Sequence, residues 1–267
     1  MDFEFIDFDK SDGIATVTLN RPDKLNALTP QMRVEMRKAF EDVAEDDGIR
    51  VLILTGAGRG FCAGADITTV AARAELADDE SMRALHLQPV ATNRPATILR
   101  NLKKPTICAL NGIIAGGPIA LALSCDIIIA SDKARFRMAL TRVGLSLENG
   151  ISYMLSQRIG PHLTLELAYT NDIIEAKEME RIGIVNRVVP HEELIPTSRD
   201  MARRMFDIPP LGLEMAKRCV YKAIEAPDLE TQIAFEMLLG KTLGQTEDRK
   251  EAVQSFMEKR KPIYQGR

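Results

Sequence analysis

Two short runs of small residues carry the chemistry that can be read most directly in this chain. Phe61-Cys62-Ala63-Gly64-Ala65-Asp66 places small side chains around one backbone stretch, so N–H groups there can meet a ligand unobstructed. Asn111-Gly112-Ile113-Ile114-Ala115-Gly116-Gly117-Pro118 repeats the device at the entrance of an apolar helix. Pro118 suits the first helical position, where an N–H would have no partner. The Gly117 N–H is then expected to point outward at the positive end of the helix. Two exposed amides, from Ala65 and Gly117, could form an oxyanion hole for the enolate oxygen of an acyl thioester. Taken alone, each run reads first as a tight turn chosen for packing.

Other chemistry is poorly supported. Gly56-Ala57-Gly58-Arg59-Gly60 follows an apolar strand but has Phe61 where a dinucleotide fingerprint needs glycine, and it lacks the Gly-Lys-Ser/Thr ending of a P-loop. Cys62, Cys108, Cys125 and Cys219 lie far apart in apolar or small-residue contexts and read as reduced core thiols. His86, His162 and His191 fall in separate segments with no metal spacing, so no metal is expected. Thirty-five Lys and Arg against 38 Asp and Glu give a formal charge of -3, which does not favour a nucleic-acid partner. The apolar stretch Ile107 to Leu123 is interrupted by Asn111 and glycines, and nothing reaches the roughly 20 residues that span a bilayer. The start, Met1-Asp2-Phe3-Glu4, lacks the basic opening and apolar run of a signal peptide, so a cytoplasmic protein without membrane association is expected.

The elements that would position these runs alternate strand and helix. Alternating apolar residues on either side of Ser11-Asp12-Gly13 predict a hairpin. Thr29-Pro30 followed by Met32, Met36, Phe40 and Val43 predicts a helix to Glu45. Strands are expected at Val51–Leu54, Thr106–Leu110 and Asp126–Ala130, with a helix over Pro118–Ser124 between the last two. Residues 66–101, with Ala71 to Ala77, Pro89 and Pro95, read as a mobile loop followed by a helix ending near Asn101. From Gly160 onward the pattern is helical (161–169, 176–182, 192–206, 210–224, 228–243 and 247–259), with one strand at Ile184–Val189. The fold class is α/β, divided into a core over 1–200 and a helical C-terminal region over 201–267.

Four ordered motifs then carry a family resemblance. Arg21-Pro22-Asp23-Lys24-Leu25-Asn26-Ala27-Leu28, the loop from Phe61 to Ile67, the run from Asn111 to Pro118 with Cys125-Asp126, and Gly183-Ile184-Val185 with Val188-Val189-Pro190 occur in sequence along the chain. From about Phe3 to Arg260 the chain resembles the crotonase superfamily, the enoyl-CoA hydratase/isomerase family. The resemblance implies a spiral of ββα units, a helical C-terminal trimerisation region, a homotrimer or dimer of trimers, and an acyl-CoA thioester substrate. Coenzyme A enters as part of that substrate, with no separate cofactor. Ala65 and Gly117 match the family's oxyanion-hole positions. Lys24, Leu25, Ala63, Asp66 and Ile67 match segments that hold the adenine and pantetheine. Lys259 resembles a lysine that approaches the CoA 3′-phosphate, often from a neighbouring subunit; its other reading is a solvated basic face.

The same resemblance exposes a departure. Hydratases of the family deliver water with two glutamates, and the matching positions here are Ala120 and Leu140, which transfer no proton. One acid remains: Glu148, in Gly144-Leu145-Ser146-Leu147-Glu148-Asn149-Gly150, similar to the loop of relatives in which a single carboxylate acts. Those relatives include Δ3,Δ2-enoyl-CoA isomerases, a ring-epoxide isomerase and aryl-CoA dehalogenases. Ile113, Ile114, Leu140 and Leu145 are expected to wall Glu148 into an apolar pocket that excludes competing water. The structural reading is that Glu148 caps the helix starting near Gly150. The first expectation is therefore a 3-enoyl-CoA to 2-enoyl-CoA isomerase with Glu148 as acid/base. A hydratase, decarboxylase or acyl-CoA hydrolase on the same fold and a non-catalytic binding protein are the alternatives.

Overall fold

Ile6–Ser11 (β1) and Ile14–Leu19 (β2) pair antiparallel across Asp12 and Gly13, both left-handed, in a computed structural model that describes residues 2–66 and 94–267. This is the predicted hairpin. Pro30–Glu45 (α1) starts as its sequence requires: the Met32 N–H donates to Thr29 Oγ1 (3.0 Å), and Pro30 occupies the first turn. Met32, Met36, Ala39, Phe40 and Val43 form one buried stripe at helical spacing. At its other end Lys104 Nζ donates to the carbonyls of Val43 (2.7 Å) and Asp46 (2.6 Å), placing a cation on the negative end of the helix.

The remaining strands are Val51–Gly56 (β3), Gly60–Cys62 (β4), Thr106–Leu110 (β5), Ile113–Ala115 (β6), Ile127–Ser131 (β7), Arg135–Arg137 (β8), Ile174–Glu175 (β9) and Arg187–Val189 (β10). They build two sheets. The larger has the order β1-β2-β3-β5-β7-β10 and is parallel except for the hairpin; the smaller has the order β4-β6-β8-β9. From β3 to β8 successive strands alternate between the sheets, so each pass of the chain adds one strand to both. That is the spiral of ββα units.

Side-chain alternation buries the large sheet on both faces, as its near-continuous apolar strands require. Leu52, Leu54, Cys108, Leu110, Ile128 and Ala130 join the main core with the α1 stripe. Val51, Ile53, Ile107, Ala109 and Ile129 face the other way, onto Leu194 and Ala202. Those two belong to Leu194–Arg204 (α6), which spans the boundary drawn at residue 200.

The other helices are Pro95–Asn101 (α2), Ile119–Ser124 (α3), Ile151–Thr170 (α4, broken at Gly160, φ 76°), Ala176–Arg181 (α5), Pro210–Ala223 (α7), Leu229–Leu243 (α8) and Glu247–Glu258 (α9). Asp126 pins α7 to the sheet, accepting from the Tyr221 hydroxyl (2.6 Å) and from Lys217 Nζ (3.0 Å). Burial beside this carboxylate pushes the Tyr221 phenol well above its ordinary value. Two expectations are corrected. The strand placed at 184–189 begins only at Arg187, because Gly183 is left-handed and the N–H groups of Ile184 and Val185 turn back to the Met179 carbonyl. Cys219 is half-buried on α7, whereas Cys62, Cys108 and Cys125 are buried; all four are free thiols. Ala71 to Ala77, His86 and Pro89 lie outside the described residues.

Candidate active site

β4 and β6 lie side by side and parallel in the small sheet, and the two small-residue runs leave them at the same end. Ala65 stands just past β4 and Gly117 just past β6. The Leu28 N–H donates to Gly64 O (2.8 Å) and the Asp66 N–H to Leu28 O (3.0 Å), a one-residue bridge straddling Ala65. Among the described residues the Ala65 N–H has no acceptor. The same holds for Gly117, since the first turn of α3 draws on the N–H groups of Ile119, Ala120 and Leu121. Pro118 is the N-cap rather than the first helical residue, which leaves the Gly117 amide one position outside the helix.

Two buried asparagines hold these runs together. Asn26 accepts from the Arg21 N–H (2.8 Å) and donates to the carbonyls of Ala57 (3.0 Å) and Gly60 (2.7 Å). Asn111 accepts from the Gly56 N–H (3.1 Å) and donates to Gly58 O (2.9 Å) and Gly60 O (3.1 Å). Both amides thus meet on Gly60 O and tie the first motif, the glycine loop and β6 together. Asn26 was legible in sequence only as part of a motif, and Asn111 only as half of a turn. The Cys62 S–H donates to Asn26 O (2.9 Å); burial pushes this thiol up to about 12, so it stays protonated and inert at neutral pH.

The residues assigned to CoA fall into two groups. Lys24 is exposed, Leu25 turns left-handed (φ 48°), and the Ala63 N–H donates to Leu25 O (3.0 Å), so Lys24, Leu25 and Ala63 sit together. Asp66 joins them through Arg21, whose Nη1 reaches Asp66 Oδ2 at 2.9 Å and Ala27 O at 2.7 Å. Its carboxylate therefore locks the Ala65 loop to the first motif. Lys259 stands apart, left-handed (φ 54°) at the end of α9, with no hydrogen bond or ion pair to the first group among the described residues. Ile67 lies outside the described residues.

Glu148 reaches Gly117. A β-carbon built on Gly117 would stand 2.6 Å from Glu148 Oε1 and 3.5 Å from Asn149 Nδ2. The carboxylate therefore lies against the second of the two small-residue runs. The Glu148 side chain makes no hydrogen bond to the start of α4 among the described residues, where its carbonyl accepts from the Ile151 N–H (3.1 Å). Asn149 (φ 56°) and Gly150 (φ 82°) are both left-handed and turn the loop into the helix. Asn149 Oδ1 accepts from Arg94 Nη1 at 2.6 Å, a partner 55 residues away that sequence reading missed.

The expected apolar wall is only partly built. Ile114 and Leu140 are buried, but Leu145 is 55% exposed and Glu148 itself is exposed. The reason is local: left-handed Gly144 and the Leu145 N–H bond back to Leu140 O (3.0 Å) turn that side chain outward. Ala120 and Leu140 are both buried. A small cavity opens beside Gly117, lined among others by Leu28, Met36, Arg94, Ala96, Ala120 and Asn149. Among the described residues no group of three or more His, Cys, Asp or Glu is arranged to hold a metal ion, and no helix is long and apolar enough to cross a membrane.

Comparison with known proteins agrees with this architecture. The enoyl-CoA hydratase/isomerase family profile matches residues 9–267. A 1,2-epoxyphenylacetyl-CoA isomerase of Escherichia coli K12 is 35% identical over 265 residues, covering 99% of both chains. A short-chain-enoyl-CoA hydratase of Clostridium acetobutylicum is 34% identical, covering 98% of this chain and 97% of its own. The crystal structure of enoyl-CoA hydratase subunit I from Geobacillus kaustophilus HTA426 superposes with a TM-score of 0.89 at 38% identity, covering all of both chains. With a profile match over nearly its whole length and a spiral of two interleaved sheets, the chain belongs to the enoyl-CoA hydratase/isomerase family of the crotonase superfamily.

Proposed function

We propose that this family member shifts the double bond of a 3-enoyl-CoA into the 2,3 position, with Glu148 as its single acid/base. One observation carries the reading: the Glu148 carboxylate lies against Gly117, while Ala120 and Leu140, where two-acid hydratases place theirs, are buried and aliphatic. The thioester oxygen lies between the Ala65 and Gly117 amides. Glu148 removes a C2 proton, the electron pair passes into a dienolate whose oxygen the amides stabilise, and the same carboxyl returns the proton at C4. The 3,4 double bond is lost and the 2,3 bond formed, with no net change in composition.

In this reading Lys24, Leu25, Ala63, Asp66 and Ile67 bind the nucleotide and pantetheine, coenzyme A being part of the substrate. Lys259 meets the 3′-phosphate of CoA held by a neighbouring subunit. Exposed apolar residues on α8 and α9, among them Leu229, Met237, Phe256 and Met257, support a homotrimer or a dimer of trimers.

Mass spectrometry of trans-3-hexenoyl-CoA and trans-2-hexenoyl-CoA, incubated separately in D2O with wild type and Glu148→Gln, tests the assignment. Interconversion with deuterium at C2 or C4, lost in the variant, is the expected result. Neither isomerisation nor exchange in wild type would overturn it at this chain length. The second reading is hydration through Glu148, favoured by its solvent exposure and by the hydratase relatives. A gain of one water, lost in Glu148→Gln, would establish that reading instead.

A further inference from the structure

Beside Gly117, the cavity that would receive the acyl chain is mostly aliphatic, with Leu28, Met36, Ala96 and Ala120 in its wall. Two cations, Arg33 and Arg94, interrupt that wall, and the one bonded to the loop that bears Glu148 is Arg94. It is the residue before α2, and its guanidinium donates to one neutral acceptor, Asn149 Oδ1, at 2.6 Å. Among the described residues no carboxylate pairs with it, and no Asp or Glu lines the cavity. A guanidinium has five N–H donors in a planar fork, so one bond to an amide oxygen leaves most of them available. Arg94 is exposed at the cavity's rim, and a purely hydrocarbon chain would bring nothing to this cation.

Resting on the acyl-CoA reading above, we infer that Arg94 selects acyl groups whose far end carries a carboxylate, making the preferred substrate a short dicarboxylic acid monothioester. The thioester end is held at Gly117, the methylene segment runs along Met36 and Ala96, and the distal carboxylate accepts hydrogen bonds from the remaining Arg94 donors. The Arg94–Asn149 bond fixes the guanidinium and couples it to the loop bearing Glu148, because Asn149 is the next residue. A filled distal site and a correctly placed acid are thereby linked.

The test separates recognition from chemistry. Calorimetric binding of succinyl-, glutaryl- and adipoyl-CoA is compared with butyryl-, pentanoyl- and hexanoyl-CoA, all saturated and inert to isomerisation. At least one diacid is expected to bind about tenfold or more tighter than its matched monoacid, the usual worth of a charge-assisted bond. Arg94→Met should bring that ratio to about one. Asn149→Asp, which pairs the guanidinium internally while keeping the side-chain shape, should do the same. No preference in wild type, or a preference that survives both variants, would overturn the inference. A parallel assay follows trans-3-hexenedioyl-CoA and trans-3-hexenoyl-CoA for isomerisation. Diacid selectivity in binding without isomerisation of either would sink the isomerase reading and leave the Arg94 assignment standing. Isomerisation without diacid selectivity would do the reverse.

Discussion

Gly117 and Glu148 compete for one small volume: the space a β-carbon at 117 would fill lies 2.6 Å from Glu148 Oε1. Gly117 is not in the left-handed region, so its backbone would accept alanine without strain. Its lack of a side chain serves the carboxylate. Gly117→Ala is expected to leave the melting temperature nearly unchanged, because only the end of a flexible side chain must move. Turnover should fall about 100-fold, as misplacing a reacting group by an ångström does. Adding Glu148→Gln to Gly117→Ala should cost little more than either change alone. Additive losses in that cycle would mean the two residues do not act together.

Asn26 is predicted to matter for stability more than for chemistry. Its side chain satisfies the Arg21 N–H and the Ala57 and Gly60 carbonyls, and its left-handed φ of 56° suits asparagine. Asn26→Gly keeps that backbone freedom and removes only the hydrogen bonds. A loss of about 2–3 kcal/mol in urea unfolding is expected, the cost of leaving buried groups unpaired. A change within error would show that water replaces the amide.

Acid should release the C-terminal tail before the core. Glu251 accepts a two-pronged bond from Arg260 and another from the Ile263 N–H (2.8 Å), and these hold its carboxyl down from 4.5 to about 2. A lowered carboxyl stabilises the folded arrangement above its unfolded value, and that contribution disappears as pH falls through its folded value. The Tyr264 ring signals in NMR should therefore move toward random-coil positions between about pH 4.5 and 2. Glu251→Gln should show the released spectrum at neutral pH. A tail that stays ordered in that variant would contradict the assignment.

Thiol chemistry gives a fourth check. With Cys62, Cys108 and Cys125 buried and Cys219 half-buried, a disulfide reagent at pH 8 should label at most one thiol of four in the native protein. All four should react in guanidinium. Rapid native labelling of Cys62 would mean that the Ala65 loop opens.

Long elements were legible because they repeat a period. The α1 stripe from Met32 to Val43, its Thr29-Pro30 start and the apolar run of β3 are strong local signals. β4, β6 and β8 have three residues each, too few for any alternation to show, yet the Ala65 and Gly117 amides follow β4 and β6. The two acceptor-free amides, Ala65 and Gly117, were legible because glycine and alanine leave the backbone bare. Bonds such as Arg94 to Asn149 and Asn111 to Gly58 join segments more than 50 residues apart, and no local pattern announces them. Leu145 was misplaced for a related reason: its direction depends on the turn at Gly144, not on its own hydrophobicity.

The neighbouring positions of β4 and β6 bear on how such a protein changes over time. The separation of two groups leaving adjacent strands starts from the sheet's own repeat, about 4.8 Å. From there the ruler is written in the β4–β6 pairing and in the Asn26, Asn111 and Asp66 side chains that fix the loops beyond it. The reagent is written separately, in one side chain on a loop ahead of α4. A lineage can replace, move or delete that side chain and still inherit the same pair of bare amides.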